Sequence, residues 1–454
     1  MSRRCWTRTS EARGARFLAI LILFLGLASA QTGQLDQFRV YTDAPRLFLR
    51  PQRLRLIRRE RDRQSARWAQ LETLAGGGAR MKEPGLAEAL MFAATGDQSF
   101  AHRALHDASD TRQAALVLDW CRDALTENQR HALAKRLASI LASGSATGVA
   151  AVRDRVLAAI AIADSDPDIT ARTLQSVVID WWRGQTAPRL RSGDRTLSYG
   201  ELYPFLEILL AIRDNLTIDL REDAPDYFKS LPLWYLTGFY PAPYESAAAE
   251  YRIPCWSGTG EPDLTSAVLA RAAGLALVAS DTNGTGAQYV QSFLMQDRLM
   301  MRDTLGAPYE FLWANPYQPG LPYALLPPEF YDAQAGVLFL RSSWDDDARW
   351  FGIVAGEFQL FDDGHVHVLE LRPGSGEPRP LELGAAEVVQ ARVPMRLQAG
   401  GNALFVVGLR PDANYNVEVE DEEMQEFTAD RAGTLRLELP KDRTSEVFLS
   451  AGPR

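Results

Sequence analysis

The chain has 454 residues, with 49 Lys and Arg against 58 Asp and Glu, 46% hydrophobic and 24% charged residues. These proportions describe a globular protein of two or three domains and exclude a disordered or membrane-embedded one. The net charge of -9 disfavours generic nucleic-acid binding, which needs a basic face to release counterions, and 3 cysteines are too few for a disulfide framework.

The chain opens with an arginine-rich stretch, "MSRRCWTRTSEARGAR", followed by the apolar "FLAILILFLGLASA". This order, ending at Ala28-Ser29-Ala30, predicts a signal peptide over residues 1–30 and a mature protein beginning at Gln31, exported to the periplasm or beyond the cell. The apolar run from Phe17 to Ala28 is 12 residues long, short for a membrane span of roughly 20, so no integral span is expected after cleavage. The leader carries five arginines and one glutamate, which leaves the mature chain at -13. A polyanionic ligand must then be met by locally clustered arginines against the global field. Cys121 and Cys255 survive cleavage, as one bridge or as two buried thiols, with the wrong spacing for a zinc finger.

From about Pro51 to Met301, apolar residues recur at helical spacing in alanine-rich segments separated by Gly, Asp, Ser or Pro. "PQRLRLIRRERDRQSARWAQLETLAG" begins with a proline suited to a first helical turn, and it packs seven arginines into residues 50–63, read as the solvated face of an amphipathic helix. "TRQAALVLDWCRDAL", "GVAAVRDRVLAAIAIAD", "YGELYPFLEILLAIRDNL" and "TSAVLARAAGLALVAS" are further helices. Short turns imply antiparallel neighbours, packed as a superhelix or a closed toroid, and the lack of a repeating consensus favours the toroid. Prolines 316, 319, 322, 327 and 328 end the pattern. After them the period becomes two, in "AGVLFLRSSW", "ARWFGIVAGEFQLF", "HVHVLELR" and later runs. The last sixty residues read as a small immunoglobulin- or fibronectin-like unit. The predicted class is multi-domain α+β, with an α/α toroid over 31–330, a shortened β-sandwich over 331–395 and a C-terminal β-unit over 396–454.

Three stretches in order, "APRLFLRPQRLRLIRRERD" at 44–62, "LVLDWCRDALTENQRHALAKRL" at 116–137 and "GVLFLRSSWDDDARWFGIVAGE" at 336–357, together resemble the heparinase II/III and alginate-lyase group of secreted polysaccharide lyases. That resemblance implies an α/α toroid followed by an antiparallel sandwich, an acidic polysaccharide as partner, and β-elimination at a uronic acid. Elimination needs a donor to neutralise the substrate carboxylate, a base for the C5 proton and an acid for the departing oxygen.

In the family a toroid tyrosine transfers a proton. "RTLSYGELY" resembles its segment and places Tyr199 in that role, with Tyr203 one turn on as a substrate contact. The family's glutamate and glycine before this tyrosine are replaced by Arg195 and Thr196. Where the family has an Asn or His neutraliser this chain has "GSATGVAAVRDRVL", leaving Arg153 or Arg155 to supply positive charge. In "FDDGHVHVLEL" one register makes His365 the sandwich proton-transfer residue and His367 a zinc ligand. A second register places the pair at Phe358 and Leu360, and a third reading is a polar sheet face without chemistry. Leu369 stands where the family has an aspartate and no histidine follows His367, so no cofactor is required and a structural zinc site looks incomplete.

Trp182, with Trp181, Trp234, Tyr235, Tyr240 and Tyr244, suits a sugar-stacking platform or packing between helices. His102 and His106 have a metal-compatible spacing, but Arg103 occupies the position of a zincin glutamate. Two functions follow: an exported lyase on uronate-containing polysaccharide, or a glycan-binding or envelope interaction protein on the same fold without turnover. A glycosidase would need two carboxylates facing one cleft, for which Glu201 and Asp226 are the nominal candidates.

Overall fold

The structure is a computed structural model that describes residues 35–452, apart from 145–146, 196, 246–249, 259, 297–299, 371–377, 421 and 442. The expected signal peptide lies outside the described residues. No helix among them is long and apolar enough to cross a membrane.

The helical part contains α1 (Pro51–Asp62), α2 (Ala66–Leu71), α3 (Pro84–Thr95), α4 (Gln98–Asp107), α5 (Thr111–Trp120), α6 (Glu127–Ala142) and α7 (Val149–Ala161). It continues with α8 (Pro167–Ser176), α9 (Ala187–Arg191), α10 (Tyr199–Asn215), α11 (Pro225–Thr237), α12 (Leu264–Ser280), α13 (Thr285–Gln296) and α14 (Gly306–Trp313). Local chemistry sets their starts. Pro51, Pro84, Pro167 and Pro225 occupy first-turn positions where a missing N–H costs nothing. Thr126 with Gln129 and Ser198 with Glu201 form reciprocal capping boxes, and Asp97, Asp110, Asp166 and Asp263 cap four more helices.

Burial separates two layers. In α5 every residue from Arg112 to Trp120 is buried, whereas in α4 only Ala101 and Ala104 are, the contrast between a helix covered all round and one covered on one side. Helix α3 packs on α5, α5 on α7, α7 on α10, α10 on α12, α12 on α14, and α14 returns to α3, so these neighbours close a ring. The short hairpin of β1 (Tyr244–Glu245) and β2 (Glu250–Tyr251) follows α11.

Three sheets follow. The first is a meander in the order β3 (Glu329–Asp332), β4 (Val337–Arg341), β5 (Trp350–Val354), β6 (Glu357–Asp362), β7 (His365–Leu369). The single apolar run "ARWFGIVAGEFQLF" is thus two strands. Ala355 and Gly356, both with positive φ, turn between them, as Asp363 and Gly364 do between β6 and β7.

The second sheet is built from β8 (Leu381–Leu383), β9 (Ala386–Gln390), β11 (Ala403–Val407) and β14 (Leu435–Glu438) in the order β14-β11-β9-β8, with β9 and β11 parallel. The third uses β10 (Met395–Ala399), β12 (Asn414–Val419), β13 (Gln425–Thr428) and β15 (Ser445–Ala451) in the order β10-β15-β12-β13. The sheets are layered. Phe330, Phe339, Trp350 and Phe361 of the first join the helical core, while Leu338, Leu340, Phe351 and Ile353 pack on Val388, Phe405 and Val407 of the second. Leu404, Val406 and Leu437 on the reverse of the second meet Leu397, Val417 and Leu449 of the third. Strand β11 is therefore buried along its whole length, as a strand covered on both faces must be. The sheet that contains β8 and β9 also contains β11 and β14, so it spans the expected division at residue 395.

Candidate active cleft between the helices and the first sheet

Buried polar contacts fix the first sheet against the helical part. Trp350 Nε1 donates to the Thr237 carbonyl (2.8 Å), Arg341 Nη1 to the Phe239 carbonyl (2.8 Å) and the Tyr240 hydroxyl to Gln359 Oε1 (2.8 Å). Each satisfies a group that would be costly to bury unpaired. Beside this junction lies a cleft of about 650 Å³, bounded by the first turns of α10 and α12, by Trp234 of α11, by residues 253–257 and by β4 and β5. A second hollow of about 530 Å³ shares Ile253, Trp256 and Pro262 with it and adds Tyr240, Tyr244, Glu261 and His365. Trp256 is half-buried and donates through Nε1 to the Gly260 carbonyl at 3.2 Å, so its ring is the common wall of the two.

Tyr199 lines the cleft as the first residue of α10. Its ring stacks on Trp234, with centroids 4.4 Å apart and planes 6° from parallel, and its hydroxyl donates to the Trp234 carbonyl at 3.2 Å. Gly238 makes room for it: a Cβ there would sit 1.8 Å from the hydroxyl. Burial holds the phenol well above its ordinary pKa of 10.0. The hydroxyl is therefore engaged and hard to ionise.

Arg195, which stands where the family pattern has a glutamate, also lines the cleft. Its guanidinium lies between the rings of Tyr227 and Phe330 (5.1 and 5.0 Å). It pairs with Asp332 (2.8 Å) and donates to Ser230 Oγ (2.5 Å). Nη1 is buried and has no hydrogen-bond partner among the described residues, and the residue lines the cleft. Cys255, also on this wall, is a free buried thiol that burial pushes up to about 12.

The other expected site residues lie elsewhere. In the register of β6 with β7, Val366 shares the face of Phe361, whose ring stacks on Tyr240 on the helical side. His365 and His367 alternate onto the opposite face and are exposed. His365 borders the second hollow at the hairpin tip but is absent from the wall that Tyr199 lines. The pair does share one sheet face, as the two-residue period requires, but that face is turned away from the helices.

Tyr203 is fully buried, accepts from Trp313 Nε1 (2.8 Å) and meets Arg112 Nη2 (3.4 Å), so it belongs to the ring interior and not to a substrate surface. Arg153 pairs with the buried Glu207 (3.2 Å) and with Asp154 (2.7 Å), which spends its charge inside the ring. Arg155 donates to the carbonyls of Gly144 and Leu141 at the end of α6 (2.5 and 3.2 Å), a helix-terminus contact. Trp182 is fully buried against Phe205 and Phe228, and its Nε1 donates to Asp223 (3.0 Å), so it offers no stacking face. Among the described residues no three His, Cys, Asp or Glu side chains are grouped to hold a metal, and His367 has no partner ligands there.

The assembled site is thus an aromatic-walled groove with one buried cation and no imidazole on its main wall. No family model matches the chain, and no curated protein matches it. Among solved structures it is similar to a heparan sulfate lyase, HepC, from Pedobacter heparinus, with 13% identity and a TM-score of 0.36 over 82% of this chain and 76% of that one. It is similar also to a glycoside hydrolase, with 9% identity and a TM-score of 0.33 over 85% of this chain and 76% of that one.

Proposed function

We propose that the protein is an exported, glycan-binding relative of the polysaccharide lyases it resembles in sequence. It holds a stretch of acidic polysaccharide along the two joined hollows, without elimination through the expected Tyr199 and His365 pair. The observation that carries this reading is the groove itself. Trp256, half-buried on the shared wall, supplies a face for a sugar ring, and Arg195, which lines the cleft, places a positive charge beside it that attracts a carboxylate or sulfate.

Elimination asks for neutraliser, base and acid around one sugar. Here His365 borders only the second hollow and is absent from the wall that Tyr199 lines, His367 is exposed on the sheet face turned away from the helices, the phenol of Tyr199 is tied to a carbonyl, and Arg153 is paired inside the ring. The test is incubation with alginate, heparinoid and pectic substrates, following both the ultraviolet absorbance of unsaturated products and retention on immobilised polysaccharide. Retention that weakens in Trp256→Ala, with no absorbance change, is expected. An active lyase is the second reading, favoured by the presence of Tyr199 and Arg195 on one wall; product formation that Tyr199→Phe abolishes would replace the first reading with it.

A further inference from the structure

At the other end of α10 and α12 the helical part has a hollow of about 630 Å³, bordered by Arg50, Arg53, Arg55, Arg59, Arg213 and a single carboxylate, Asp214. Tyr199 and Ser266, at the starts of these helices, line the junction cleft, whereas Arg213 and Ser280, at their ends, line this hollow. Helix α10 has 17 residues, so at a rise of 1.5 Å per residue the two sites stand roughly 25 Å apart.

Three of the arginines are held by helix ends. Arg50 donates to the Asp214 carbonyl (2.5 Å), Arg213 to that of Ser280 (2.6 Å) and Arg53 to that of Trp313 (2.9 Å), where helix termini carry partial negative charge. Each contact uses one of the five N–H groups of a guanidinium, so the heads are oriented and retain donors. Asp214 is paired with Arg213 at 3.1 Å. Arg55 and Arg59 are exposed and have no ion pair among the described residues. The Arg59 head lies 4.0 Å from the Tyr317 ring centroid. Tyr317 and Tyr41, on this rim, are 42% and 59% exposed. An adjoining hollow of about 530 Å³ shares Tyr41, Arg50 and Arg55 and adds Arg58 together with one exposed carboxylate, Asp43.

We infer that this far end of the helical ring is a second binding site for an acidic sugar chain, independent of the junction cleft. Exposed tyrosines beside a row of guanidinium groups suit sugar rings that carry spaced carboxylates or sulfates. The mature chain is acidic overall, net -13, which opposes polyanions that must approach over a wide face, such as nucleic acid.

The experiment titrates the full mature protein with fluorescent polygalacturonate and heparin oligosaccharides, with dextran, single-stranded DNA and polyphosphate in parallel. Arg55→Glu with Arg59→Glu changes exposed side chains only, Arg55→Gln with Arg59→Gln controls for repulsion, and circular dichroism checks folding. Two binding phases are expected. The charge-reversal variant should weaken one of them at least about ten-fold, lower the slope of log affinity against log salt by about one per arginine removed, and leave the Trp256-dependent phase in place. Unchanged binding in both double variants would overturn the site, and DNA or polyphosphate bound equally tightly through Arg55 and Arg59 would overturn its assignment to glycan. Loss of the Trp256-dependent phase alone from the wild-type pattern would count against the junction groove and leave this site standing.

Discussion

Glu207→Gln tests whether the interior of the helical ring rests on charge pairing. Glu207 and Arg112 are 0% and 1% exposed at the side chain. Arg112 Nη2 lies 2.7 Å from Oε1, Nε lies 3.3 and 3.1 Å from the two oxygens, and Arg153 Nη1 reaches Oε2 at 3.2 Å. One carboxylate thus answers two guanidinium groups. The glutamine keeps the shape and removes the charge, leaving Arg112 with Glu83 at 3.1 Å and Arg153 with Asp154 at 2.7 Å. Breaking a buried pair costs about 3–5 kcal/mol, because the remaining charge is left uncompensated. The two surviving carboxylates set the expectation near the lower end, about 3 kcal/mol. For a helical part of this size that corresponds to a fall of roughly 6 °C in its thermal midpoint. The assay is a thermal melt followed by far-ultraviolet circular dichroism, supported by calorimetry. A variant within 1 °C of wild type would refute the claim that this pairing governs the ring's stability.

Other perturbations have definite outcomes. His367→Ala should leave polysaccharide retention and the melting midpoint unchanged, and a loss of retention would place that imidazole against the sugar chain. Tyr199→Phe removes one buried hydrogen bond and should lower stability by about 1 kcal/mol in denaturant unfolding; an unchanged midpoint would mean that the Trp234 carbonyl contact contributes nothing. Asp119 is buried, which pushes its carboxyl up from 3.8 to about 6 against the backbone N–H groups of Leu47 and Arg46 that favour the charged form. Because the folded state holds this proton more tightly than the unfolded chain, its contribution is full below about pH 4 and is lost as pH rises through about 6. Melting curves of Asp119→Asn should lack that fall, and parallel profiles for the two proteins would contradict it.

The order of the fold was legible in the residues. Prolines at helix starts, aspartates and capping boxes, the proline-rich break and the change of period locate the helices and strands because each is a local rule. Asp363-Gly364, flanked by alternating residues, is legible as a turn for the same reason. The run through Ala355-Gly356 was not divided, since its first positive-φ residue is an alanine and a single glycine in an apolar run also fits a strand interior. Strands β8 and β9 could not be assigned to their sheet, because the parallel pairing of β9 with β11 leaves no mark on either segment alone.

The site was harder to read for a related reason. Which arginine is buried, paired or free depends on what the ring brings to it. Arg153 and Arg195 look alike in sequence, yet one is paired with Glu207 and the other keeps a donor without a partner. The arginines of residues 50–63 read as a solvated face, and several instead reach carbonyls at the ends of neighbouring helices.

The two unbridged thiols give the molecule a pair of internal clocks. Cys121, beyond the last turn of α5, and Cys255, on the groove wall, are both buried and both held as thiols by burial, each pushed up to about 12. At neutral pH a thiol reagent therefore gains access mainly when the surrounding structure opens. The two labelling rates report separately on opening of the helical ring and on breathing of the groove, so a sugar chain that occupies the groove should slow the second clock while the first keeps its pace.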